Sequence, residues 1–347
     1  MQRHHFAALT LSLATLIFTG CQTTQAPPSE VRVHQGEPFG SMEVIDPMFF
    51  ALIPATTAIE KLASGFDWSE GPVWIKKGGY LLFSDVPSNT VYRWSPGGGV
   101  RVHLKPSGYT GSIPRAGEPG SNGLTVDSEG RLTLCEHGDR RIGRIEHDGR
   151  HVTLVDRYQG KRFNSPNDLA YKSNGDLYFT DPPYGLEKNV DDPKKEIPFQ
   201  GVYRLKPGGE LTLLTDKLTR PNGIAFSPDE KTLYVAVSDP AMPVIMAYDV
   251  QADGTIANAR VFFDAKPLAT PGRKGLPDGL KVDRSGNLFA TGPGGVFVIT
   301  PQGKHLGTIA TGEATANCAW GDDGSTLYIT ADMFLCRVKT KTRGAGF

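Results

Sequence analysis

The sequence predicts an all-β fold, a β-propeller with six blades. One short pattern, a polar residue followed by an apolar run, a turn and a second apolar run, occurs six times between residues 70 and 331. Successive copies are 39 to 56 residues apart, a spacing typical of repeats in which four strands make one blade. Gly and Pro are abundant, with 41 and 26 residues, as tight turns between short strands require. No long stretch has the periodicity of an amphipathic helix.

Each copy is typical of a β-hairpin, because two strand-like runs flank a group of turn residues. The clearest copy is SPNDLAYKSNGDLYFTD, which begins at Ser165. The others are EGPVWIKKGGYLLFSD from Glu70, SNGLTVDSEGRLTLCE from Ser121, RPNGIAFSPDEKTLYVAV from Arg220, PDGLKVDRSGNLFATG from Pro277 and ANCAWGDDGSTLYITA from Ala316. A residue with a side-chain oxygen leads each copy: Glu70, Asn122, Asn167, Asn222, Asp278 and Asn317.

These six lead residues predict a site in the central channel. Equivalent positions in the blades lie at equal distances from the propeller axis, and each lead residue precedes the strand expected to line the channel. We therefore expect six side-chain oxygens to converge at one channel mouth. Carboxylate and amide oxygens are hard ligands that suit Ca²⁺ or Mg²⁺. A single Asn or Asp before a strand is explained by turn preference alone, but its presence in all six copies favours a functional ring.

The two ends of the domain must meet for the propeller to close. The last copy is followed only by a short run, Leu335 to Thr340, so its blade lacks an outer strand. Ile59 to Leu62 precede the first copy, and we expect them to supply that strand. Such a closure would leave no long free sheet edge.

Residues 1 to 20 read as a lipoprotein signal peptide. The mostly apolar run from Phe6 to Phe18 is too short to span a bilayer and follows a weakly basic start. The run ends in Gly20 and Cys21, which predicts lipidation of Cys21 after cleavage; ordinary secretion is the alternative. Because Gln22 rather than Asp follows, we expect an outer-membrane lipoprotein of the bacterial cell envelope that faces the periplasm.

The rest of the chain divides into two parts. Residues 21 to 50 are rich in Pro, Thr, Gln and Glu without periodicity, which predicts a flexible tether. Residues 51 to 347 are expected to form the propeller. Cys135, Cys318 and Cys336 lie in strand-like runs, which favours buried thiols and leaves one disulfide open. No Cys or His spacing indicates a structural zinc site.

The charge balance excludes one class of partner. The chain has 37 basic and 37 acidic residues and no basic stripe, so nucleic acid is not expected to bind. There is also no GxSxG nucleophile motif and no phosphate-binding GxxxxGK[ST] motif. The chemistry therefore has to come from the lead residues and their surroundings.

The motifs EGPVW, SPNDL, RPNGIAFSPD and LPDGLKVDRSGNL resemble those of the senescence marker protein, gluconolactonase and luciferin-regenerating enzyme family. The resemblance covers about residues 60 to 340, with each motif in its own blade. The segments LCEHGDRRIGR and FTDPPYGL resemble the bacterial gluconolactonase-like branch. The resemblance implies a six-bladed propeller with one divalent metal, usually Ca²⁺, that hydrolyses lactones or related esters.

Residue by residue, the resemblance implies that the metal ligands are Glu70, Asn167, Asn222 and Asp278. Two carboxylates and two amides would balance Ca²⁺ and leave coordination positions open; Mg²⁺, Mn²⁺ and Zn²⁺ also remain open. Asn122 is assigned to substrate binding. Asn317 stands at the equivalent position of the last blade and is expected to be structural.

The expected reaction is hydrolysis of a sugar lactone such as gluconolactone to its aldonic acid. By resemblance, Asp278 is the catalytic base, although a carboxylate bound to a cation is a weak base. Metal-bound water is one alternative to Asp278, and the carboxylates of Asp168 and Asp181 are the others. Both of these carboxylates are also predicted to bind substrate.

Two further side chains are predicted to bind substrate, namely His137 in CEHGDRR and Tyr184 in DPPYGL. The loops at residues 108–120 and 185–199 are candidates for the edges of the pocket. Two other functions remain open: cleavage of other esters or phosphotriesters at the same site, and a ligand-binding propeller with a structural metal. A monomer or weak dimer is expected.

Overall fold

The computed structural model describes residues 31–347. The signal peptide and Cys21 predicted from the sequence lie outside the described residues. Within the described part of the chain, no helix is long and apolar enough to cross a membrane.

The described chain begins with strands rather than with a tether. β1 (Arg32–Phe39) and β2 (Ser41–Val44) precede a short helix, α1 (Phe49–Leu52), and β3 (Ile59–Ser64). β1 pairs with β3, and β2 pairs with a strand at His305–Ala310. The flexible tether predicted for residues 21 to 50 was wrong for residues 32–44, because their backbone groups extend two sheets of the propeller.

Blades 1 to 6 follow along residues 69–339, each an antiparallel sheet. Blade 1 contains β4 (Ser69–Ile75), β5 (Tyr80–Asp85), β6 (Thr90–Ser95) and β7 (Gly99–Leu104). Blade 2 contains β8 (Ser121–Val126), β9 (Leu132–Glu136), β10 (Arg141–Ile145) and β11 (His151–Val155). A two-stranded ribbon, β12 (Arg157–Tyr158) and β13 (Lys161–Arg162), leads to blade 3, with β14 (Leu169–Tyr171), β15 (Leu177–Asp181), β16 (Gly201–Leu205) and β17 (Leu211–Thr215).

Blade 4 contains β18 (Pro221–Phe226), β19 (Thr232–Asp239), β20 (Met242–Val250) and β21 (Ile256–Asp264). Blade 5 contains β22 (Leu280–Val282), β23 (Leu288–Gly292), β24 (Gly295–Ile299) and β25 (His305–Ala310), with β2 at its outer edge. Blade 6 contains β26 (Thr315–Gly321), β27 (Thr326–Ala331) and β28 (Phe334–Lys339), completed by β3 and β1. Short 3₁₀ turns lie at Lys76–Gly78, Asn189–Asp191 and Lys266–Leu268.

The first strand of every blade lies at the centre of the molecule. β4, β8, β14, β18, β22 and β26 contact one another in that order, and β26 contacts β4 again. The predicted six-bladed propeller is confirmed for the described residues, and the strands that carry the lead residues line the channel.

The ends of the domain are joined by strand pairing, as the sequence predicted. β3 pairs antiparallel with β28, with Arg337 opposite Glu60, and their side chains form a 2.7 Å salt bridge. At the seam between blades 6 and 1, the ring of Trp74 stacks on that of Tyr328 at a centroid distance of 5.3 Å. Leu62 is buried in the same apolar cluster, so the closing strand also contributes to the core between the two blades.

The three cysteines of the domain are free thiols. Cys135, Cys318 and Cys336 are all buried, and burial raises the pKa of each thiol. A protonated, buried thiol packs as a small apolar side chain and is a poor nucleophile.

Candidate active site at the channel mouth

Five of the six lead residues line one cavity at a mouth of the channel. Glu70, Asn122, Asn167, Asn222 and Asp278 face a cavity of about 340 Å³. Glu70, Asn122, Asn167 and Asn222 are almost fully buried and Asp278 is half-buried, although each carries a polar or charged side chain. The predicted convergence is therefore present for five of the six lead residues, and Asn317 does not line the cavity.

Local backbone geometry turns the lead residues toward the axis. The pairing between first and second strands shifts register between Glu70 and Val73 in blade 1, and between Ser121 and Leu124 in blade 2. Blade 4 has the same irregularity between Pro221 and Ile224. Such bulges re-aim side chains at the ends of strands.

Close approach of neighbouring blades explains the glycine that follows most lead residues. A Cβ atom on Gly71 would come within 2.0 Å of the carbonyl oxygen of Asn122, and one on Gly223 within 2.1 Å of that of Asp278. Only a residue without a side chain fits between adjacent lead residues there. The NG, DG and EG pairs of the repeat are therefore a packing requirement of the ring.

The cavity contains several side-chain oxygens without a hydrogen-bond partner. They are Oδ1 of Asn122, Asn167, Asn222 and Asp278. Unpaired buried oxygens are costly and uncommon. All four can only accept hydrogen bonds or bind a cation, so the arrangement suits a positive ligand and not an anion.

Burial strongly favours the neutral forms of the two cavity carboxyls that lead blades 1 and 5. It raises the pKa of Glu70 to about 8, and the nearby charge of Asp168 adds to this effect. Burial also raises the pKa of Asp278 well above its usual range, assisted by the charges of Glu70 and Asp168. A cation between the two carboxylates would remove this penalty, because opposite charge stabilises the ionised form.

Neighbouring side chains fix the orientation of the amides. Asn222 Nδ2 donates to Ser238 Oγ at 2.9 Å, and Ser238 Oγ donates to the carbonyl of Pro277 at 2.5 Å. Asn167 Nδ2 lies 3.4 Å from His137 Nε2. Both amide nitrogens therefore point away from the cavity and both oxygens point into it.

Asn317, the sixth lead residue, supports Glu70. Its Nδ2 donates to Glu70 Oε2 at 3.2 Å, and its Oδ1 accepts from the backbone N–H of Cys318 at 2.9 Å. The backbone N–H of Gly71 also donates to Glu70 Oε2, at 2.6 Å. The structural role expected for Asn317 agrees with these contacts.

Asp168 is buried beside the ring and is not part of the cavity wall. It takes the place of the glycine found after four of the other five lead residues, and its Oδ1 accepts from the N–H of Leu169 at 2.8 Å. Its other carboxylate oxygen has no hydrogen-bond partner. Burial raises the pKa of Asp168, and the charge of Lys281 opposes that shift.

Asp181 does not reach the cavity, so the structure corrects its predicted role in substrate binding. Its two carboxylate oxygens accept from the backbone N–H groups of Asn164 and Ser165 at 2.9 and 2.8 Å. Burial raises the pKa of Asp181 to about 7, against the effect of these two hydrogen bonds. It shapes the turn before Asn167.

Of the other predicted substrate contacts, Tyr184 lines the cavity and His137 does not. His137 is fully buried behind Asn167, so it acts on the site through that amide. Its Nδ1 lies 3.2 Å from Glu118 Oε2, without the geometry of a hydrogen bond.

Glu118 is a cavity residue that the sequence reasoning missed. It lies on the loop between blades 1 and 2, lines the cavity, and its side chain is 34% exposed. A carboxylate four residues before the lead residue Asn122 was visible in the sequence. Only the folded loop places it against the ring.

The residues present fit a divalent cation of the hard type. Glu70, Asn167, Asn222 and Asp278 offer two carboxylates and two amide oxygens, three of which bear an unpartnered oxygen. In the described part of the chain, no three His, Cys, Asp or Glu side chains cluster around a common point. The set therefore depends on its amides, which Ca²⁺ and Mg²⁺ sites accept.

The fold and cavity define a class, a six-bladed propeller with an oxygen-rich pocket at one channel mouth. The family model described as the SMP-30/Gluconolactonase/LRE-like region matches residues 68–332. The chain belongs to this family, and the resemblance recognised from its motifs is confirmed.

Individual relatives agree with this membership. The chain is 42% identical over 344 residues to a protein named gluconolactonase of Zymomonas mobilis subsp. mobilis, covering 97% of this chain and 96% of that protein. A solved gluconolactonase of Xanthomonas campestris is 34% identical with a TM-score of 0.75, covering 92% of this chain and 99% of that one. A luciferin-regenerating enzyme, at 19% identity and a TM-score of 0.65, covers 83% of this chain and 97% of its own and supports the fold alone.

Proposed function

We propose that this protein hydrolyses a sugar lactone such as gluconolactone to its aldonic acid, with a divalent cation, Ca²⁺ first, at the channel mouth. The observation that carries the proposal is the set of buried oxygens of Asn167, Asn222 and Asp278 that face one cavity without partners. The relative named gluconolactonase, 42% identical across 97% of this chain, supports the lactone as substrate.

The cation and the residues have separate tasks in this proposal. A divalent cation held by Glu70, Asn167, Asn222 and Asp278 would supply positive charge where the lactone carbonyl oxygen gains negative charge. The carboxylate and amide oxygens of the lead residues are acceptors and cannot stabilise an oxyanion themselves. Their task is to hold and orient, and Ser238 and His137 fix two of the amides for it.

Asp278 takes the proton in the proposed reaction. Water adds to the carbonyl carbon and gives one proton to Asp278. The lactone carbon is then part of a tetrahedral intermediate. The bond from that carbon to the ring oxygen then breaks, and the ring oxygen takes the proton back as it becomes a hydroxyl. The carboxylate of Asp278 lines the cavity and can accept that proton there.

The remaining wall of the cavity suits a sugar ring. Trp68, Tyr184 and Leu276 present apolar surface, on which the C–H face of a sugar packs. The unpartnered Oδ1 of Asn122 is available to a substrate hydroxyl. This combination of an apolar wall with a few polar groups is typical of small-molecule sites.

The test is acid release from D-glucono-1,5-lactone by the purified protein, above the spontaneous rate, with chelator and with Ca²⁺, Mg²⁺, Mn²⁺ or Zn²⁺ added back. Activity that chelator removes and a cation restores would support the proposal. Asp278→Asn and Asn222→Ala would be measured beside it. If no lactone is hydrolysed but an aryl ester or a phosphotriester is, the same cavity serves another hydrolysis; binding without turnover of any of them would indicate a binding protein.

We also propose that Cys21 is lipidated and holds the domain at the bacterial envelope, facing the periplasm. The support is the apolar run that ends in Gly20 and Cys21. Labelling with a fatty acid that is lost in Cys21→Ala would agree with this proposal, and equal labelling of both proteins would contradict it.

A further inference from the structure

The cavity carries an excess of negative charge. Three carboxyl groups line it, those of Glu70, Glu118 and Asp278. No Lys or Arg of the described residues belongs to its wall. A divalent cation would balance the carboxylates of Glu70 and Asp278, and Glu118 would remain as one uncompensated charge.

The nearest basic side chains are occupied elsewhere. Lys281 lies below the ring, where its Nζ donates to the carbonyl of Leu280 at 3.0 Å and to Asn317 Oδ1 at 3.5 Å. Its charge acts on Asp168. Arg115 on the Glu118 loop donates to the carbonyls of Gly138 and Gly185. Both side chains keep their charge, but among the described residues neither lines the cavity nor lies within ion-pair distance of Glu118.

Two other groups face the same region. The charge of Arg220 acts on Tyr184 and also on Asp239, outside the cavity wall. His137 Nε2 lies 3.4 Å from the amide nitrogen of Asn167. Its Nδ1 lies 3.2 Å from Glu118 Oε2 without the geometry of a hydrogen bond, and the ring does not line the cavity.

We infer that Glu118 determines charge selectivity at this site, admitting neutral lactones and excluding lactones that carry a phosphate or a free carboxylate. The inference rests on the proposed function. A substrate with its own negative charge would meet like charge at the cavity wall, whereas a neutral sugar lactone would not.

The same charge acts on the product. Hydrolysis turns a neutral ring ester into an aldonate carboxylate, and it releases one proton to solvent once the acid has formed. The product is therefore anionic in a cavity that already carries an uncompensated carboxylate. Glu118 would weaken product binding and so limit inhibition by the aldonate.

The test compares the wild type with Glu118→Gln. Gln keeps the shape and an oxygen near His137 but removes the charge. The measurements are kcat/KM for D-glucono-1,5-lactone and for D-glucaro-1,4-lactone, which has a free carboxylate, and the inhibition constant of D-gluconate. We expect the preference for the neutral lactone and the inhibition constant each to fall roughly 10-fold, since like charges about 10 Å apart at an effective dielectric constant of about 20 repel by this order.

Glu187→Gln is the matched control. Glu187 lies on the facing loop, accepts from the backbone N–H of Ala116 at 3.3 Å and is also 34% exposed, but it does not line the cavity. This change should leave both quantities as in the wild type. If Glu118→Gln and Glu187→Gln had equal effects, the loss of any negative surface charge would explain the result, and the inference would be wrong.

Failure of the inference and failure of the proposed function can be told apart. If gluconolactone is hydrolysed but Glu118→Gln alters neither the preference nor the inhibition constant, the inference is wrong and the function stands. If no lactone is hydrolysed, the proposed function is wrong. Calorimetric titration of D-glucarate then tests Glu118 alone: tighter binding by Glu118→Gln supports its role, and equal binding or none contradicts it.

Discussion

Replacing Ser238 by alanine is expected to weaken cation binding at the channel mouth, although Ser238 itself is not a ligand in the proposed site. Its hydroxyl accepts from Asn222 Nδ2 at 2.9 Å and donates to the carbonyl of Pro277 at 2.5 Å. It thus links one proposed ligand, Asn222, to the residue before another, Asp278. Without the hydroxyl, the amide of Asn222 is free to rotate its nitrogen toward the cavity.

The structure sets the size of the effect. Ser238 is buried, and the change leaves Asn222 Nδ2 and the Pro277 carbonyl without this partner. A buried polar group left unpaired costs about 1–3 kcal/mol, so for two such groups we expect the free energy of unfolding to fall by about 2–6 kcal/mol. Loss of a group that orients a metal ligand typically lowers affinity about 10- to 100-fold.

Calorimetric titration of Ca²⁺ and urea unfolding with and without the cation measure the two effects separately. Thr340→Val is the control, because the Thr340 hydroxyl is also buried and its one hydrogen has two backbone carbonyls within reach, those of Ser325 at 3.0 Å and Thr342 at 2.8 Å. It does not line the cavity. We expect the control to lose stability while its Ca²⁺ affinity stays at the wild-type value.

The reasoning would be refuted if Ser238→Ala lost stability like the control but bound the cation as tightly as the wild type. Asn222 would then hold its orientation without Ser238, or would not contact the cation. Combining Ser238→Ala with Asn222→Ala distinguishes these cases: Ser238 should have no further effect on affinity once the amide is absent.

Three other predictions follow from the same structure. Without cation, the free energy of unfolding should fall by up to about 5 kcal/mol as pH rises from about 4.5 to 8, because Glu70 keeps a proton in the folded protein that it loses in the unfolded chain. Urea unfolding measures this, and with saturating Ca²⁺ the free energy should depend little on pH. Asp278→Asn should lower kcat for lactone hydrolysis about 10²- to 10⁴-fold without lowering the free energy of unfolding measured without cation at pH 7. A near-normal kcat would show that Asp278 is not the base. A chain that begins at Phe66 should unfold at a much lower temperature, because it lacks β3; unchanged melting would contradict closure by that strand.

The sequence was sufficient for the fold because a propeller repeats its pattern. Each blade shows the same hairpin, and the closing strand follows from the short run at Leu335 to Thr340. The first two strands could not be predicted in the same way. Arg32–Phe39 and Ser41–Val44 are mostly exposed edge strands with polar sequences, and their order comes from pairing with distant strands rather than from apolar periodicity.

The ring of the site was predictable for the same reason, but its surroundings were not. Lead positions repeat, so their convergence follows from symmetry. Glu118, by contrast, lies on a loop that occurs only between blades 1 and 2. Asp181 resembled a site residue because it ends a strand near Asn167, yet backbone N–H groups occupy both of its oxygens. Which way a side chain turns depends on contacts that do not repeat.

A second repeated feature explains why the ring is rigid enough to keep unpaired oxygens. Near the end of the second strand, five blades place a hydroxyl that donates to a backbone carbonyl at or beside a lead residue. The hydroxyl of Ser84 donates to the carbonyl of Asn122, that of Thr180 to Asn222, that of Ser238 to Pro277, that of Thr291 to Ala316 and that of Thr330 to Asn317. Blade 2 has Cys135 at this position, and this thiol, a weak donor, forms no such bond among the described residues. There His137, two residues further on, contacts the next lead residue instead through the amide of Asn167. Blade 2 is thus the exception to the repeat, because a histidine and not a hydroxyl supports the next lead residue there. This role accounts for the burial of His137 behind the cavity wall.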